Sequence, residues 1–144
     1  MSDAKKVLII DADPEFAEAT RAILEANSIR ALQATSAAEA LMLAEQEEPD
    51  AIVMEAMLPD GTEGFHFTWA LRQHANIKLR DVPVLLVSRI NKTLPFRISY
   101  LDSDWEYSPG EFLPAQGFLD KPVDLEVLLE RVRGVLGLEQ SVSS

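Results

Sequence analysis

The chain has 144 residues, with 24 acidic and 13 basic side chains and a net charge of −11. The length suits one domain, and the acidity argues against nucleic acid or an anionic membrane surface as a partner, since phosphates are bound by Lys and Arg. Cysteine is absent, which excludes disulfides, thiolate metal centres and Cys nucleophiles.

Near the start, Val7-Leu8-Ile9-Ile10 is too short for the apolar core of a secretory signal. No run approaches the roughly 18 apolar residues of a membrane span, so the expected setting is cytoplasmic. The same four residues read as a strand buried on both faces. Asp13 then suits a helix N-cap and Pro14 the first helical position. Phe16, Ala17, Thr20, Ile23 and Leu24 follow at helical spacing, and Asn27 can end that helix. Ile29 to Ala34 gives a weaker strand. Thr35 or Ser36 caps a second helix through Ala40, Leu41, Leu43 and Ala44, which Pro49 stops.

Ala51 to Met54 is a third apolar run, closed by Glu55, and a turn-rich loop leads into a helix expected from about Phe65 to Ala75. His66 and His74 are expected on its surface, without metal-ligand neighbours. Val82 to Val87 is a fourth run, with Pro83 at its start, and Ser88 ends it. Residues 89–116 have no clear pattern. Gly117 to Asp120 is a short fifth strand, and Pro122 is expected to open a last helix closed by Gly137.

Strands alternating with helices imply a doubly wound parallel sheet with right-handed crossovers. Ligands of such sheets bind beyond the carboxyl ends of the strands. Asp11, Glu55, Ser88 and Lys121 all fall at that edge.

Four segments carry a resemblance: Val7 to Pro14, Pro49 to Pro59, Val82 to Ser88 and Phe118 to Pro122. In order and placement they resemble the receiver domain of two-component response regulators, over about residues 5–137. The resemblance implies a flavodoxin-like α/β fold of five parallel strands in the order 2-1-3-4-5, with a receiver domain over 1–137 and a tail over 138–144. In that family an Asp ending the third strand accepts a phosphoryl group, and an acidic pair after the first strand holds Mg²⁺. A Ser/Thr and a Lys contact the phosphoryl oxygens, and an aromatic before the Lys reports the state of the site. Mg²⁺ and Lys neutralise the charge that phosphoryl transfer gathers.

Carried over, Ser88 and Lys121 line the phosphoryl site and Phe118 is the switch aromatic. The resemblance also implies a cis Lys121-Pro122 bond. Two positions depart: Glu55 stands at the phosphoacceptor position, and Ala12 replaces the second acidic residue. Asp11, Glu55 and the carbonyl of Met57 remain as a reduced metal set. Glu55 is therefore expected to pair with Lys121 and to mimic a phosphorylated Asp in part, and no cofactor is expected.

From Ser88 to Lys121 the spacing is 33 residues, longer than the resemblance leads one to expect. The surplus falls in an irregular insertion between strands four and five containing Phe96, Tyr100, Trp105, Tyr107 and Phe112. Interface hot spots favour Trp and Tyr, so residues 92–114 are expected to form a protein-binding or homodimer surface. The expected function is a stand-alone atypical receiver, not an enzyme, acting on a histidine kinase or a downstream effector. Two alternatives stay open. One is an orthodox phosphorylatable receiver, using Glu55 or another residue such as Asp60. The other is a phosphatase of the haloacid-dehalogenase type using Asp11.

Overall fold

The structure, a computed structural model, describes residues 4–59, 61, 64–89 and 117–138. Five strands form one all-parallel sheet: β1 (Lys6–Ile10), β2 (Arg30–Ala34), β3 (Ala51–Glu55), β4 (Val84–Arg89) and β5 (Gly117–Lys121). Their order is β2-β1-β3-β4-β5, the expected one. Among the described residues five helices flank it: α1 (Pro14–Ala26), α2 (Ala37–Glu47), α3 (Gly64–Leu71), α4 (Ile77–Arg80) and α5 (Leu125–Leu136).

The apolar runs become strands because both faces of this sheet are covered. Side chains alternate across a strand, so one run feeds two cores. Leu8, Ile10, Ile52, Met54, Val84 and Leu86 face Ala40 and Ala44 of α2 and Phe67 and Leu71 of α3. Val7, Ile9, Ala51, Val53, Leu85 and Val87 face Ala17 and Leu24 of α1 and Leu128 and Val132 of α5. The edge strand β2 is weaker in sequence for the same reason: Arg30 is exposed and the next three residues are only half-buried.

Helix ends follow their caps. The Asp13 carboxylate accepts the amides of Glu15 and Phe16, and Ser36 caps α2 by accepting the amide of Glu39. Asn27 closes α1, and Gly137 closes α5 at φ 77°. Asn27 also ties the two helices together, since its Oδ1 accepts from Arg133 Nη2 at 3.0 Å.

Three expectations need correction. The helix read over 65–75 ends at Leu71, and a separate short helix follows. The Asn76 side chain caps that second helix by accepting the amides of Lys78 (2.8 Å) and Leu79 (3.4 Å). Arg72 Nη1 meanwhile donates to the carbonyls of Arg80 (3.0 Å) and Val82 (2.7 Å), drawing the segment toward β4. His74 consequently lies beyond α3, half-buried, with Nε2 2.9 Å from Glu45 Oε2 of α2. The last helix starts at Leu125 rather than Pro122, because Asp124 caps it. The insertion between β4 and β5, with its aromatics, lies outside the described residues.

Gly64 opens α3 against the end of β3. A Cβ there would meet Leu86 Cδ2 at 2.8 Å, the Glu55 carbonyl at 3.1 Å and Ala56 Cα at 3.2 Å. Replacing glycine by alanine favours a helix by about 0.5–1 kcal/mol, but overpacking costs about 1–3 kcal/mol. Two of the three neighbours are backbone, so the clash wins. Gly64→Ala is expected to lower stability by about 1–2 kcal/mol, read as a reduced urea midpoint with an unchanged m-value.

Candidate functional site

A parallel sheet brings all its strand ends to one edge, and that edge gathers the charged residues here. Asp11 follows β1 and its amide donates to the Ala34 carbonyl at 3.0 Å. Glu55 ends β3, Ser88 lies in β4 and Lys121 ends β5. Glu55 pairs in register with Val87, and Ser88 with Asp120. Ser88 therefore stands one residue beyond the partner of Glu55, and it is buried. The Lys121-Pro122 bond is cis, as the resemblance implied.

Lys121 reaches back across the edge. Its Nζ lies 2.9 Å from Asp11 Oδ2 and 2.8 Å from Glu55 Oε1. The side chains of Lys121, Asp11 and Glu55 are 9%, 3% and 16% exposed. The second oxygen of each carboxylate is also engaged. Asp11 Oδ1 accepts the Asp13 amide at 2.9 Å, and Glu55 Oε2 accepts the Met57 amide at 3.3 Å. Burial alone would pull the Lys121 pKa down. The hydrogen bonds and charges of Glu55 and Asp11 outweigh it and hold the ammonium above its ordinary value of 10.5.

A further residue, unassigned by sequence reasoning, completes the arrangement. The Phe16 ring faces Lys121, with Nζ 4.6 Å from its centroid, within range of a cation–π contact. Phe16 was legible only as part of the apolar face of α1. Helical side chains lean toward the helix N-terminus, and here that terminus is the strand edge. Beside it, an open groove of about 440 Å³ is lined by Asp13, Phe16, Ala19, Lys121, Val123 and Leu125, among others.

Phe118, half-buried, packs against the core shared by α2 and α3. The sequence-predicted Asp11, Glu55, Ser88 and Lys121 thus share one edge, with Met57 at its rim. The predicted aromatics Phe96, Tyr100, Trp105, Tyr107 and Phe112 fall outside the described residues.

The donor set does not fit Mg²⁺. That ion requires near-octahedral oxygen ligands. Ala12 offers no side-chain oxygen, and the Asp13 carboxylate is held by the amides of α1. Asp11 and Glu55 already share one ammonium. Among the described residues no group of three or more His, Asp or Glu side chains converges as a metal site would need.

The response regulator receiver domain profile matches residues 7–133. PilH of Pseudomonas aeruginosa is 30% identical over 131 residues, which take in 91% of this chain and 97% of PilH. The DNA-binding dual master transcriptional regulator RpaA of Synechocystis is 31% identical over 131 residues, and there the match spans 48% of the relative. Among solved structures, the receiver domain of the Francisella response regulator 1452 has a TM-score of 0.71 at 26% identity, covering 92% of this chain and 97% of that one. The chemotaxis response regulator CheY4 of Vibrio cholerae has a TM-score of 0.69 at 23% identity, covering 92% and 98%.

Removing the shared ammonium leaves two facing carboxylates without a counter-charge. Breaking a buried pair costs about 3–5 kcal/mol, and the part-exposure of Glu55 places the loss for Lys121→Met near about 3 kcal/mol. The pH dependence separates the two proteins. In the wild type the raised Lys121 pKa gives stability that is complete below pH 10.5 and lost as pH rises through the folded value. Lys121→Met lacks this ammonium, so its deficit against the wild type is expected to shrink as pH rises above 10.5. Urea melts of both proteins at pH 7 and above pH 10.5 check this.

Proposed function

The chain belongs to the response regulator receiver family, and from that premise we propose that it is an atypical receiver whose output does not run through phosphorylation. The observation that carries this reading is the Glu55 carboxylate at the end of β3, 2.8 Å from Lys121 Nζ. Glu is one methylene longer than Asp. Its carboxylate therefore extends toward the place that a phosphoryl group on a shorter Asp would take, and it meets the lysine that would contact that group.

Glu55 is then a standing substitute for the modified residue. The substitution is partial, because a carboxylate carries one negative charge against about 1.5–2 for a phosphoryl group. It supports a site held in one arrangement rather than switched between two. In this reading Ser88 and Lys121 line the former phosphoryl site and Phe118 stands at the switch position.

Receiver domains are signalling modules that interact with histidine kinases or effectors. We read this chain as acting through such protein contacts, not as an enzyme. Both Asp11 oxygens are occupied, by Lys121 and by the Asp13 amide, which disfavours Asp11 as a nucleophile. The aromatic segment 92–114 is the surface we assign to a partner or a second copy, on its composition of Phe, Tyr and Trp.

A small-molecule phosphodonor with Mg²⁺ tests the reading. Intact mass and peptide mapping are expected to show no labelled species in the wild type. The Ala12→Asp/Glu55→Asp double variant, which restores both departing positions, is expected to gain one label on residue 55. Stoichiometric labelling of wild-type Glu55 or of Asp60 would overturn the proposal.

A further inference from the structure

Resting on the reading of Glu55 as a fixed substitute, we propose that Lys121 is the resident cation of this site and that Ala12 is the position that keeps a divalent ion out. An ammonium has three donors. Here two are directed at Asp11 Oδ2 and Glu55 Oε1, at 2.9 and 2.8 Å. The Phe16 ring faces the same charge at 4.6 Å. The ammonium thus has two anions and an aromatic face around it, and it is almost fully buried.

A divalent ion placed between the same carboxylates would stand next to this ammonium. Repulsion between the two cations would have to be offset by further anionic oxygens. The chain offers none at the next position, since Ala12 ends in a methyl group. Asp13 does not stand in for it. Its Oδ1 accepts the amides of Glu15 at 3.0 Å and Phe16 at 3.4 Å. Turning that carboxylate into the site would uncap α1, which costs about 1 kcal/mol, and would also release the start of the helix that carries Phe16. One missing carboxylate therefore decides between a monovalent and a divalent occupant.

Mn²⁺ is the probe, because carboxylate and carbonyl oxygens suit it as they suit Mg²⁺. Its electron paramagnetic resonance signal falls on binding. The wild-type protein is expected to show no saturable binding, and millimolar Mg²⁺ is expected to leave its Tm unchanged. Ala12→Asp is expected to show saturable Mn²⁺ binding, since even outer-sphere partners change metal affinity by about tenfold or more. Its Tm should rise with Mg²⁺ by linkage, and adding Asp11→Asn should abolish both effects. Ala12→Asn supplies an uncharged oxygen should the Asp variant not fold, and is expected to bind more weakly but measurably.

Saturable wild-type binding at the affinity of Ala12→Asp would overturn the inference. So would the absence of binding in both folded Ala12 variants. Wild-type metal binding without phosphorylation at Glu55 would remove this inference and leave the proposed function standing. Labelling of Glu55 would remove that function itself.

Discussion

Two carboxylates at the ends of adjacent strands repel each other in a largely buried edge unless a cation stands between them. Asp11 and Glu55 stand on β1 and β3, and neither strand supplies that cation. It comes from β5, which lies two strands beyond β3, and it arrives on the longest flexible stem available to a point charge. Every other feature of the site follows from this need. Asp11 and Glu55 direct one oxygen each at Lys121 and give the other to a nearby backbone amide. Phe16 closes the remaining side with a face that attracts a cation.

The sheet makes this possible by being buried on both faces. Alternate residues of β1, β3 and β4 fill two separate cores, so the strands cannot slip by one residue without exchanging those cores. That rigidity fixes the strand ends, and the ends fix the charges. The crowded contact at Gly64 belongs to the same scheme. The start of α3 rests directly on the Glu55 carbonyl and Ala56, so the backbone carrying Glu55 has little room to move.

Much of this was legible in the amino-acid sequence, because the features concerned are local. Short runs of Val, Ile and Leu bounded by turn formers read as buried strands, and Asp13-Pro14, Ser36 and Gly137 mark helix ends by their own chemistry. The edge positions of Asp11, Glu55, Ser88 and Lys121 follow from counting to the end of each run. What escaped depends on competition at a distance. The helix after Gly64 stops early because Asn76 caps a second helix and Arg72 is held by carbonyls eight and ten residues on. The ring of Phe16 reads only as part of an apolar face, since nothing in helical spacing shows that it meets a lysine 105 residues later in the chain.

That separation has a consequence in time as well as in space. The Lys121–Asp11 bond joins residues 110 apart in sequence, so a growing chain can make it only after the other four strands have emerged. While the strands β1 to β4 emerge, Asp11 and Glu55 lack the ammonium that pairs with both in the finished fold. The pair is neutralised only when the fifth strand takes its place. Contacts of such long range form late, because loop-closure entropy is lost before they can compensate it. The electrostatic centre of the domain thus doubles as a check on the fifth strand: a chain that stops short of Lys121 leaves Asp11 and Glu55 without the ammonium they share.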